Sequence, residues 1–178
     1  MDSELIYLLA SEAAEVSTPS ILVWRNSGST TTISTSSIVP YNAVSSSSGL
    51  FTSSSLQSSG AVVVPASGLY QITARIAVQN PVQGTFYIVG IAIGSSSTPT
   101  VTTHGNTTYN LQASGTGTAG FNAGLEYNIT APVAAGQYIA AIAGTALTSG
   151  GLASAGAMPA SSSINSGILM SITNVGSY

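Results

Sequence analysis

The sequence predicts an all-β sandwich, and three observations predict it. Apolar and polar residues alternate with period two over several short runs, the pattern of strands rather than helices. Ser and Thr supply more than a quarter of the 178 residues, while helix-favouring Glu, Lys and Gln are scarce. Between the alternating runs lie Ser/Gly/Thr-rich segments that read as turns and loops.

The first element is the exception. Residues 1–19 carry Asp2, Glu4, Glu12 and Glu15, most of the acid in the chain. On a helix, Leu5, Ile6, Leu9, Ala13 and Val16 share one face and Glu4, Glu12 and Glu15 another. Asp2 or Ser3 would cap its start and Thr18-Pro19 would stop it. A frayed, solvated terminus and a short strand from Leu5 to Leu9 remain open alternatives. As an anchoring arm, the segment would contact a partner through Leu5, Ile6 and Leu9, with Glu12 beside them.

From Ser20 onward the texture is β. In Leu69–Val78, Tyr70, Ile72, Ala74, Ile76 and Val78 face one way and Gln71, Thr73 and Arg75 the other. In Thr85–Gly94, Phe86, Ile88 and Ala92 occupy one face and Tyr87, Val89, Ile91 and Ile93 the opposite one. Tyr138–Ala143 and Ile168–Ile172 are likewise apolar on both sides. An antiparallel strand with one wet face reads apolar on one side only. Doubly apolar strands must bury both faces, one in the sandwich core and the other, we expect, against another subunit. The segments 27–37, 45–59, 95–103, 114–118 and 149–163 have the composition of disorder. Ile33, Ile38, Val39, Leu50, Phe51 and Leu56 recur in and beside them, which points to Ser/Thr-rich strands and ordered loops. There is no fixed-period repeat.

Charge excludes most chemistry. The chain has two Lys/Arg and five Asp/Glu, 4% charged residues against about a quarter in ordinary globular proteins. Beyond Glu15 the charged residues are Arg25, Arg75 and Glu126, with His104 the sole imidazole and no Cys. A paired acid and base needs a second carboxylate. A serine triad would have to use His104 and Glu126, and the sequence around His104, Thr103-His104-Gly105-Asn106, reads as a turn. A zinc site needs about four ligands, and nucleic acid needs clustered cations. No enzyme activity, metal or cofactor is expected, and no nucleic-acid partner. Glu126 is expected to pair with Arg25 or Arg75, or to point to water. Mean hydropathy is +0.41, yet the densest apolar stretch, Tyr138–Leu147, is broken by Gly144 and Thr145, too short for a membrane helix. The Met-Asp-Ser-Glu start has the wrong charge sign for a signal peptide.

Four segments, in order, resemble the tumour-necrosis-factor-like jelly roll that also forms complement globular heads. Val39-Pro40-Tyr41-Asn42 resembles the family's early "vPFN". Val64-Pro65-Ala66-Ser67-Gly68-Leu69-Tyr70-Gln71-Ile72 resembles "vPesGlYqi", in which a Pro and Gly turn feeds an inward Tyr. Val133-Ala134-Ala135-Gly136-Gln137-Tyr138-Ile139 resembles "L-x-x-GD-x-v", with Gln137 in place of Asp. Ser166-Gly167-Ile168-Leu169 resembles "F-SGfll", with Asn165 in place of the aromatic. The resemblance covers residues 20–178 and makes Ile21–Asn26 the first strand. It implies a two-sheet jelly roll of about eight to ten strands and a homotrimer, the doubly apolar strands facing a threefold axis. It makes Tyr70, Tyr138 and Leu169 candidates for core or axis positions, with Phe86 and Tyr87 straddling a neighbouring strand. Calcium sites of some members need carboxylates that this chain lacks.

Such folds bind or build. The expectation is a 1–19 anchoring arm on a 20–178 jelly roll, forming a homotrimeric capsid decoration (cement) protein. It would sit on the virion surface of a phage, assembled in the host cytoplasm against the major capsid protein or another virion protein, with no membrane partner. The alternative is a receptor-binding or fibre-tip head that reads host surface glycan or protein through its loops; a cell-surface or spore-coat protein is a third class.

Overall fold

The computed structural model describes residues 18–33, 37–79, 85–99, 106–110, 122–147, 156–158 and 167–177. Their strands are β1 (Ser20–Trp24), β2 (Thr31–Ile33), β3 (Ser37–Ile38), β4 (Ala43–Ser48), β5 (Val62–Val63) and β6 (Gly68–Gln79). They continue as β7 (Thr85–Gly94), β8 (Asn106–Asn110), β9 (Asn122–Val133), β10 (Tyr138–Leu147), β11 (Gly156–Met158) and β12 (Leu169–Gly176). A seven-stranded sheet runs β2-β11-β6-β12-β1-β4, with β9 on the free side of β6; a five-stranded sheet runs β3-β10-β7-β8, with β5 beside β10. All of these pairings are antiparallel. The described strands thus form the all-β jelly-roll sandwich that the alternation predicts.

The period-two pattern decides which side chains meet. From β6, Tyr70, Ile72, Ala74, Ile76 and Val78 point into the sandwich and are fully buried, joined by Ile21 and Val23 of β1 and Met170 and Ile172 of β12. Facing them from the second sheet are Tyr87, Val89, Ile91 and Ile93 of β7 and Ile139, Ala141 and Ala143 of β10. Phe51 meets Tyr70 edge-on, ring centroids 6.1 Å apart at 81°. Burying such residues drives the two sheets together.

The motif-bearing corners pack on one another. Val64 donates its N–H to the Gln137 carbonyl and Gly136 donates to the Val64 carbonyl, both at 2.8 Å, while Ala135 donates to Ser67 Oγ at 3.0 Å. Gly136 sits at φ +80°. Gln137 Oε1 accepts the Ala134 N–H at 2.8 Å, so the glutamine in place of the family's aspartate still closes its own turn. The Tyr70 hydroxyl donates to the Ala66 carbonyl at 2.7 Å, pinning the chain as it enters β6.

One expectation is corrected. The middle of the outward faces of β7 and β10 is buried without a second subunit: Ala92 and Ala140 are fully buried, and Gly90, Ile142 and Gly144 are buried with them inside the single chain, while Ile88 and Tyr138 are half-buried. Small side chains on this face let chain lie close over it. Pro99, itself buried, closes over Gly94, where an added Cβ would lie 3.1 Å from the proline Cβ. Ser59 Oγ anchors that loop by donating to the Ser97 carbonyl at 2.6 Å. Boundaries differ slightly as well, since β1 ends at Trp24 and Arg25 turns inward beyond it.

Candidate functional site

The body's three charges take up two arrangements. Arg25, just past β1, is 1% exposed; its Nη2 donates to the Ser29 carbonyl at 2.7 Å and to Thr31 Oγ1 at 2.6 Å. Burial pulls its pKa below the ordinary arginine value, which leaves it charged at neutral pH. Arg75 and Glu126 are both exposed, and their backbones stand directly opposite each other in the β6–β9 ladder, a placement suited to opposite charges. Among the described residues, no three His, Asp or Glu side chains gather as metal ligands, and no helix is long and apolar enough to cross a membrane.

The outward side of the seven-stranded sheet is polar and nearly uncharged. One register row reads Glu126, Arg75, Leu169, Trp24 and Ala43 across β9, β6, β12, β1 and β4; the next reads Asn128, Thr73, Ser171, Leu22 and Ser46. Leu22, Trp24 and Leu169 are half-buried and form the apolar part of this face. Beside β4 lies a groove of about 390 Å³ lined by Tyr41, Asn42, Val44, Ser53, Leu56, Gln57 and Ser58. No lining residue is charged, so the arrangement is suited to packing and neutral hydrogen bonds rather than proton transfer.

No protein-family model and no curated protein sequence matches the chain. Solved structures do. The Eiger TNF structure from S. frugiperda superposes with a TM-score of 0.64 at 11% identity, over 90% of this chain and 95% of that one. Murine APRIL gives 0.57 at 12% identity, over 89% and 99%. The globular domain of zebrafish complement 1qA gives 0.56 at 10% identity, over 90% and 99%. The chain has the tumour-necrosis-factor-like jelly-roll fold.

Within this jelly roll the residues singled out from the sequence do not converge on one patch. Tyr70 and Tyr87 are fully buried in the chain's own core. Leu169 is half-buried on the outward face of the seven-stranded sheet, between Arg75 and Trp24. Tyr138, half-buried at the start of β10, pairs with Val63 and Gly94 in the other sheet. Phe86 is placed by its backbone opposite Ala146 and Asn110, its side chain lying outside the described residues. Leu5, Ile6, Leu9 and Glu12 of the arm, and His104, also lie outside them.

Two residues gained a role that sequence reasoning missed, although the Val39–Asn42 motif contains both. Asn42 Oδ1 accepts the Asn26 N–H and its Nδ2 donates to the Asn26 carbonyl, each at 2.7 Å, extending the β1–β4 pairing by one rung. Tyr41 is 1% exposed and its hydroxyl donates to the Leu169 carbonyl at 2.9 Å. Burial pushes this phenol well above the ordinary tyrosine pKa. A folded-state pKa raised above the unfolded one contributes stability that is complete below the unfolded value and fades as pH climbs past it. Melting temperature is therefore expected to vary little from about pH 4 to 9 and to fall above about pH 10. Tyr41→Phe should cost about 1 kcal/mol at neutral pH through the lost hydrogen bond to the Leu169 carbonyl and flatten the alkaline fall. Thermal melts of both proteins from neutral to strongly alkaline pH check this; parallel curves would refute it.

Proposed function

We propose that this jelly roll is a non-enzymatic structural head that assembles as a homotrimer and serves as a phage capsid decoration (cement) protein on the virion surface. Residues 1–19 are the anchoring arm and residues 20–178 the body. The observation that carries the reading is the segregation of charge. Four of the five acidic residues lie in the first fifteen positions, while of the body's two cations Arg25 is buried as a loop clamp and Arg75 stands on β6 opposite Glu126 of β9. A body of this kind offers packing surfaces and few ion pairs for salt to screen, which suits a clamp; the acidic segment is where attachment is tuned. The outward face of the seven-stranded sheet, with Leu22, Trp24 and Leu169 half-buried in the lone chain, is the face that lines the threefold axis, because the middle of the corresponding face of the five-stranded sheet is already buried.

Deleting residues 2–18 is the test. The shortened protein should remain a trimer by light scattering and fail to load onto stripped particles. Loading at normal occupancy would overturn the role of the arm, and a full-length protein that is monomeric at micromolar concentration would overturn the trimer. A protein present at a few copies per particle, rather than in proportion to the shell subunits, would instead mark a tip or receptor-binding head.

A further inference from the structure

β4 ends its sheet, and its outer edge has no strand partner among the described residues. Unpaired N–H and C=O groups on such an edge are a template for another strand unless charge or proline guards it. β9, at the opposite edge, carries Glu126 and Pro132. β4 reads Ala43-Val44 followed by four serines, with neither guard, and a bulge at Ser45 is its one irregularity. The uncharged groove by Val44 and Leu56 opens alongside it.

The arm leaves the body at the same place. Ser48 Oγ donates to the Thr18 carbonyl at 2.8 Å, and a Cβ on Gly49 would lie 2.8 Å from Pro19 Cα. Thr18 and Pro19 therefore lie against the end of β4 and the turn that follows it, whose Leu50 is 61% exposed. The sequence before them holds Leu5-Ile6-Tyr7-Leu8-Leu9, an uncharged apolar run between Glu4 and Glu12.

We propose that Leu5–Leu9 of one copy adds as a strand to the outer edge of β4 in a second copy, with alternate side chains entering the groove. The uncharged run matches the uncharged groove and leaves the flanking carboxylates in water. A second copy is favoured over the same chain because the direct route back from Pro19 runs parallel to β4, whereas all the described pairings are antiparallel. The inference rests on residues 1–19 being the attachment arm: the segment that grips the shell is stored on a neighbour until the head loads.

The absence of cysteine makes the test direct. Full-length chains carrying Ile6→Cys and Ser46→Cys are co-expressed and mildly oxidised. The expected product is a mixed disulfide dimer on a non-reducing gel, absent when Asn128→Cys, exposed on β9 at the opposite edge of the sheet, replaces Ser46→Cys. A crosslink confined to single chains of the Ile6→Cys/Ser46→Cys double variant would overturn exchange between copies. No crosslink in either format would overturn strand addition, without touching the attachment reading, which the deletion tests separately. The crosslinked protein should fail to load onto particles until reduced; loading while crosslinked would overturn storage.

Discussion

Gly60→Ala is expected to lower the unfolding free energy by about 4 kcal/mol and the melting temperature by roughly 12 °C. Gly60 sits at φ +90°, where any Cβ is strained. The added Cβ would also overlap the Val39 carbonyl oxygen and lie 2.8 Å from the Tyr41 nitrogen. That backbone has little room to yield: Val39 donates to the Ala141 carbonyl at 2.9 Å, Tyr41 donates back to the Val39 carbonyl at 2.8 Å, and the Tyr41 hydroxyl is tied to Leu169. Gly136→Ala is the matched comparison, since φ is +80° but nothing lies within 4 Å of the new Cβ. It should cost about 1 kcal/mol, the conformational part alone. Thermal melts of the two variants separate the contributions; equal losses would show that backbone contact is not what demands glycine at position 60.

Arg25→Ala is expected to cost about 3 kcal/mol, combining lost charge-assisted hydrogen bonds to Ser29 and Thr31 with the cavity left by a buried side chain. The side chain spans the turn between β1 and β2 and holds Ser29 and Thr31 from inside it. Arg25→Lys should recover only part of this, because an ammonium cannot reproduce the planar fork. Arg75→Ala, removing an exposed side chain on the outward face of β6, should stay within about 0.5 kcal/mol. Urea denaturation of the three variants checks the order, and a larger loss at Arg75 than at Arg25 would reverse the roles assigned to the two arginines.

The contrast between these arginines shows where sequence reading stops. Alternation places Arg75 on the outward face of β6 with Gln71 and Thr73, but nothing local says that the Arg25 guanidinium folds inward. That Glu126 stands opposite Arg75 depends on the β6–β9 register, which joins residues about fifty positions apart through a ladder that local pattern does not encode. The groove was equally illegible, since it forms where the β4 edge meets the Ser53–Ser58 turn. Gln137, by contrast, was visible as a departure from the family pattern, and its bond to Ala134 explains why the turn survives it.

The sequence by itself determined the all-β class and the inward face of β6, which follow from side-chain alternation acting over a few residues, while the two corners that carry Gly136 and Tyr70 were legible through their resemblance to the family motifs. Only the tertiary structure decided that the middle of the second faces of β7 and β10 is buried within the chain, and that the open surfaces are the seven-stranded face and the β4 edge. Alternation tells that a face must be buried. What covers it is settled by which segments the fold brings over it, and here the bare backbone of Gly94 lets Pro99 close over the end of β7.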